Sequence, residues 1–147
     1  MATQIDPRGP RFGAAITASA LLVTVYLLLD PATAVAGTWV YAFVTASFAI
    51  GALFGVGKHP YAWLFKTLVR PRLAAPSELE DATPPRFAQA VGLFVVGIGI
   101  VLQVSGVELG LVFAAAAAFV AAFLNAVFNY CLGCQIFLGL KRLKVIR

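Results

Sequence analysis

Four stretches of this chain carry no charged residue: Phe12 to Leu29, Thr38 to Val56, Phe87 to Val104 and Leu109 to Tyr130. Each is close to the roughly 17–25 residues that cross a hydrocarbon core of about 30 Å. Inside lipid no water satisfies the backbone, so the spanning segments must be helical rather than open sheet or irregular chain. The expected fold is therefore all-α, a polytopic membrane protein with four transmembrane helices. A cleaved signal peptide ahead of a soluble domain would account for the first stretch only. Composition points the same way: 61% of residues are hydrophobic and 12% charged. Soluble domains have about a quarter of their residues charged, so too little polar surface is available here to cover a water-soluble fold.

The charges between these stretches set an orientation. Arg8 and Arg11 precede the first; Lys58, Lys66, Arg70, Arg72 and Arg86 separate the second from the third; Lys141, Arg142, Lys144 and Arg147 follow the fourth. The loops at Asp30 to Gly37 and Val104 to Glu108 have no Lys or Arg. With the basic residues on one side, the positive-inside rule makes that side cytoplasmic and places both termini there, in a plasma (inner) membrane protein. The net charge of +5 orients the chain and draws its inner face to anionic lipid; no nucleic-acid partner is needed to explain it.

The chain also repeats. "DPRGPRFGAA" from Asp6 and "DATPPRFAQA" from Asp81 agree at Asp, Pro, Arg, Phe and Ala, 75 positions apart, and the same shift aligns Phe48 with Phe123, Lys66 with Lys141 and Leu68 with Leu143. Two parallel repeats are expected, residues 1–74 and 75–147, each with two spans and a short cytoplasmic interfacial helix. Repeats with an even number of spans share one orientation, so an approximate two-fold along the membrane normal would relate them. Pro10 and Pro85 suit a stop just before the odd-numbered helices, with Arg11 and Arg86 at the cytoplasmic boundary. Asp6 and Asp81 are expected to pair with those arginines or with helix-end amides.

"HPYAWLFKTLVRPRL" reads as the first interfacial helix, started by Pro60, stopped by Pro71 and offering the rings of Tyr61, Trp63 and Phe65 to the membrane surface. Gln135 to Leu143 is its counterpart, and "PSELEDATPP" an exposed linker. Gly51 and Gly55 form a G-x-x-x-G pair suited to close helix approach.

Polar chemistry concentrates near the end of the fourth stretch. Asn125 and Asn129 are four apart, on one helix face, where they bond neighbouring helices or line an approach to the cysteines. Cys131 and Cys134, the only cysteines, sit where apolar sequence gives way to basic sequence. A C-x-x-C pair opening a helix gives its first thiol free amides and a positive helix end, which lower its pKa; the second thiol resolves the mixed disulfide. Gly133 would permit the bend into that helix. A permanent disulfide does not suit a reducing cytoplasm, which leaves a cycling pair, a sulfur carrier, a soft-metal pair or small residues packing a helix end. Two thiols make an incomplete metal site. His59, placed opposite Cys134 by the 75-residue shift, is a candidate third ligand and equally a helix cap. No phosphate loop, H-E-x-x-H or hydrolase elbow occurs, and no cofactor is called for.

"IDPRGPRF", "VRPRLAAPSELEDATPPRFAQAVG" and "NAVFNYCLGCQIFLGLKR" together resemble a bacterial integral-membrane family known as domain-of-unknown-function family 4395. On that resemblance Cys131 and Cys134 match the family's C-L-G-C box, and Arg11 and Arg86 its repeated boundary motif. The resemblance implies thioredoxin-like or sulfurtransferase partners, and hence thiol redox or sulfur transfer. Three expectations follow: a membrane-embedded dithiol with Cys131 attacking and Cys134 releasing; a small transporter of a sulfur-containing anion or soft metal, possible as a homodimer; or an accessory subunit that docks a cytoplasmic partner. No second cysteine pair lies beyond the membrane, so a relay across it needs a quinone or a protein partner.

Overall fold

The computed structural model describes residues 3–146, so Arg147 lies outside the described residues. Four long helices form the bundle: α1 (Arg8–Leu28), α2 (Ala34–Phe54), α4 (Thr83–Val104) and α5 (Gly110–Phe128). All four are long and apolar enough to cross a membrane. Two short helices follow the second and fourth of these, α3 (Pro60–Leu64) after α2 and α6 (Leu132–Arg142) after α5. After Leu64 the chain stays coiled, through a wide π turn at Phe65–Val69 and a tight turn at Arg70–Arg72. Apolar side chains including Leu22, Trp39, Phe94 and Phe113 point outward, as an oily surround requires.

Helices α1 and α4 start about a turn earlier than the apolar sequence suggests, at Arg8 and Thr83 rather than at Phe12 and Phe87. Pro10 and Pro85 thus lie inside the first turn. They do no harm there, because the first amides of a helix have no intrahelical acceptor to lose.

Helix α1 packs on α2 and α5, and α4 packs on the same two. The core is formed by Leu21, Tyr41, Val44, Phe48, Val96, Ala114, Ala115 and Ala118. The small residues of α5 let α1 and α4 approach it closely, and the Tyr41 hydroxyl donates to the Val96 carbonyl at 2.6 Å, so that α2 and α4 are tied without an unpaired polar group in the core. The G-x-x-x-G pair acts differently from the expectation. Gly51 receives the side chain of Gln89 on α4, whereas Gly55 has φ of 91°, ends α2 and meets no neighbour.

The two P-R-F boxes do matching work. Arg11 donates through its guanidinium to the Ala126 and Val127 carbonyls at the end of α5, at 2.9 and 3.2 Å. Arg86 does the same to Ala52 and Leu53 at the end of α2, at 2.8 and 2.9 Å. Each arginine satisfies carbonyls that a helix end leaves unpaired. Asp6 does not pair with Arg11. It holds Arg8 in a two-pronged ion pair and accepts the Arg8 amide, while Asp81 accepts the amide and hydroxyl of Thr83. A two-residue strand, β1 (Gln4–Ile5), lies antiparallel to β2 (Glu80–Asp81) inside the expected linker and fastens the two boxes together. Strands this short carry no alternation for a sequence reading to find.

The tails dock in matching places too. Phe65 stacks on Phe12 with ring centroids 5.8 Å apart, and Phe137 on Phe87 at 5.5 Å. Tyr61 and Phe65 are both 4% exposed, so only Trp63 of the three expected interfacial rings faces outward. By these contacts the tails correspond at a shift of 72 positions rather than 75. The described basic residues all lie at the end of the bundle that holds the starts of α1 and α4.

Candidate functional site

The site forms where α5 gives way to α6. Asn129 takes the left-handed conformation (φ 54°) that ends α5, a role Asn tolerates because its short polar side chain offsets the strain. The Tyr130 amide then bonds back to the Leu124 carbonyl at 3.2 Å. The bend therefore falls at Asn129, not at Gly133. Gly133 serves a different need: a Cβ there would lie 2.5 Å from both Cα and Cβ of Ala88, so only glycine lets α6 press this closely on α4. Asn129 leaves the helix, and so Asn125 and Asn129 do not share a helical face.

Cys131 is the N-cap of α6. Its Sγ accepts the Cys134 amide at 3.3 Å, in the position usually filled by a Ser or Asp oxygen. The same geometry directs a helix N-terminus at Cys131, which favours a negative sulfur. Cys131 and Cys134, with Cα atoms 5.2 Å apart, are joined as a disulfide.

His59 is the N-cap of α3, so by role it corresponds to Cys131, not to Cys134 as the 75-residue shift implies. Its Nδ1 accepts the Tyr61 amide at 3.3 Å. Burial pushes the imidazole below its ordinary pKa, against a smaller opposite pull from a hydrogen bond with the Ser47 backbone. His59 is thus a neutral helix cap with Nδ1 committed. Among the described residues no three His, Cys, Asp or Glu side chains gather as a metal site, so His59 is not assembled with the cysteines as ligands.

At the basic end the helices splay around an open cavity of about 970 Å³. Cys131, Cys134, Asn125, Asn129 and His59 all border it. Its floor is the core, at Phe48 and Ala118. Two of its wall residues carry no functional signal in the sequence: Tyr61 reads there only as an interfacial ring, and Gln89 as an ordinary packing residue. Asp6 also reaches the cavity rim; the Arg8 guanidinium beside it holds its carboxyl below the usual range. Asp81 is held low by its bonds to Thr83. Both carboxylates are tied locally, which suits helix capping better than proton transfer.

No curated protein and no solved structure matches the chain. The family described as a domain of unknown function, DUF4395, matches residues 5–142, a stretch that holds both P-R-F boxes and the cysteine pair, and the chain belongs to it.

Proposed function

We propose that this protein is a membrane-embedded dithiol that exchanges disulfides or passes sulfur at the cytoplasmic face of the plasma membrane. One observation carries the reading: Cys131 caps α6 within bonding reach of Cys134, on the wall of a cavity large enough for a substrate. In the reduced protein the Cys131 thiolate attacks one sulfur of a partner disulfide, forming a mixed disulfide and releasing the first partner thiol. Cys134 then attacks Cys131 Sγ, closes the internal disulfide and releases the second thiol; two electrons and two protons have moved to the partner. In the sulfur-transfer version Cys131 takes the outer sulfur of a partner persulfide, releasing the partner's thiol, and Cys134 then attacks Cys131 Sγ, closing the disulfide and expelling that sulfur as hydrogen sulfide. A thioredoxin-like protein or a sulfurtransferase is the natural partner. The matching contacts of the two halves support parallel repeats, 1–74 and 75–147, and the gathering of the described basic residues at one end of the bundle favours both termini being cytoplasmic.

A carrier for a sulfur-containing anion is the second reading, favoured by Asn125 and Asn129 bordering the same cavity as Cys131. Against it, the core closes the bundle beyond Phe48 and Ala118.

Labelling with a membrane-impermeant thiol reagent in oriented sealed vesicles, across a pH series and with or without reductant, tests the dithiol. Labelling should require reduction, occur only from the cytoplasmic side and titrate well below the ordinary thiol value of about 8.5. Slow labelling with an ordinary titration, unaffected by reductant, would leave the cysteines as packing residues and make a docking subunit the better account.

A further inference from the structure

We infer that the cavity admits the disulfide of a small, zwitterionic, peptide-like thiol to the Cys131–Cys134 pair, an inference that rests on the dithiol reading above and names its substrate. The first observation is a hydroxyl. On α1 the side chains of Ser19 and Thr24 donate back to the carbonyls of Ala15 and Ala20, at 2.9 and 2.8 Å. The Thr17 hydroxyl on the same helix bonds to none of the described residues, although Thr17 is only 8% exposed and borders the cavity. Protein seals the unpaired oxygens of Tyr61 and Gln89 but not this one, so it opens on the space that Thr17 borders. A polar group withdrawn from bulk water and left unpaired is costly, and here its partner has to come from the cavity. The Asn125 amide, on α5 at the same space, also bonds to none of the described residues.

The rim adds charge of both signs. Lys66, Arg70 and Glu80 border the cavity and are exposed. None of the three is in an ion pair among the described residues, where Arg8 and Asp6 form the salt bridge. Asp6 and Asp81 also reach the rim, but Arg8 and Thr83 already engage them. Two cations and one acid are thus left for a ligand. They sit apart from the thiols in the fold: α3, which leads into Lys66 and Arg70, packs on α1, whereas α6, which carries the cysteines, packs chiefly on α4. Charge and sulfur therefore reach the cavity from different halves of the molecule.

Size and polarity select the ligand class. A volume of about 970 Å³ is at the upper end of the roughly 300–1,000 Å³ of cavities that hold drug-sized ligands. A small sulfur oxyanion would leave most of it empty and Glu80 unmatched. A hydrocarbon chain suits the walls at Phe48, Val95 and Ala118 but leaves Thr17 and Asn125 without partners. The disulfide of a short peptide thiol carries carboxylates for Lys66 and Arg70, an ammonium for Glu80, amides for Thr17 and Asn125, and methylenes for the walls. The Cys131 thiolate attacks one of its sulfurs, which breaks the substrate S–S bond and releases one thiol. Cys134 then attacks Cys131 Sγ and releases the second. Two electrons and two protons pass from the pair to the substrate, and the thioredoxin-like dithiol of the reading above reduces the pair again.

The test uses the full chain in nanodiscs, reduced and freed of reductant, with thiol content followed against time. Glutathione disulfide, bis(2-hydroxyethyl) disulfide and oxidised thioredoxin are added separately. Glutathione disulfide should close the pair with a rate that saturates, at least about tenfold faster than the small neutral disulfide at equal concentration. Thr17→Val and Lys66→Gln should each cut that preference about fivefold. If glutathione disulfide shows neither saturation nor preference, or if both variants keep the full preference, the peptide-thiol site is overturned; the dithiol still stands where thioredoxin or either small disulfide closes the pair. If none of the three closes it, the dithiol reading falls as well. The wild-type comparison decides these outcomes even where a variant fails to fold.

Discussion

The two tail helices, α3 and α6, are built on the same plan and carry different chemistry. Each begins with a side chain that caps its first turn, His59 on α3 and Cys131 on α6. Each sends a phenylalanine, Phe65 or Phe137, onto the phenylalanine of a P-R-F box. Two residues after the cap they diverge. On α3 the large, buried Tyr61 lies against Gly13; on α6 Gly133 lies against Ala88. One tail contributes bulk and a polar wall, while the other drops its side chain so that a disulfide-forming turn can seat directly on α4. A common docking geometry thus allows one copy to carry a bulky buried ring and the other a close-packed disulfide turn.

The greatest test of that contrast is at the small residues. Gly133→Val would drive a side chain into Ala88, whose Cα is already 2.5 Å from an added Cβ. Backbone cannot yield as a side-chain tip can, so a loss of about 3 kcal/mol is expected, the upper part of the range for overpacking. Gly13→Ala adds a Cβ 3.6 Å from the Tyr61 ring, an ordinary contact, and should change stability by no more than about 0.5 kcal/mol. Reversible unfolding in mixed micelles measures both, and equal losses would remove the distinction between the tails.

This asymmetry also marks where sequence reading stopped. The four spans, the C-x-x-C helix start and the two P-R-F boxes were legible because hydrophobicity, charge and spacing act locally. The bend was not: Asn129 and Gly133 both suit a helix boundary, and only the packing on Ala88 assigns the close approach to Gly133. The 75-residue register holds at the boxes but slips to 72 in the tails, since loops between packed elements absorb insertions that the contacts ignore. That slip paired His59 with the wrong cysteine. The sequence presents Tyr61 only as an interfacial ring and gives no sign of Gln89, because a buried oxygen without a partner has no sequence signature.

A middle-sized effect tests whether the halves are held alike. Arg11→Ala frees the carbonyls of Ala126 and Val127; Arg86→Ala frees those of Ala52 and Leu53. Charged donors on neutral carbonyls are worth about 1.5–3 kcal/mol when sheltered, and these side chains are exposed, so about 1 kcal/mol each is expected. The two losses should agree to within about 0.5 kcal/mol. A large difference in the same unfolding measurement would mean that one box has taken on a separate task.

The smallest effect concerns the acids that open the two boxes. Asp6 is buried and clasped by Arg8, while Asp81 is exposed and bonded to Thr83. In both, hydrogen bonds to the charged form pull the pKa below its ordinary value. A carboxylate with a lower pKa folded than unfolded stabilises the fold fully above the unfolded value of about 3.9, and that contribution fades as pH falls through the folded value. Stability followed by titration from about pH 6 down to about pH 3 should therefore decline at the acid end. Asp6→Asn should flatten that decline more than Asp81→Asn, since the asparagine cannot form the ion pair with Arg8 and solvent already screens Asp81. If Asp81→Asn flattens the curve more, the acid-sensitive contact belongs to the second half, and the first box is not the tighter of the two.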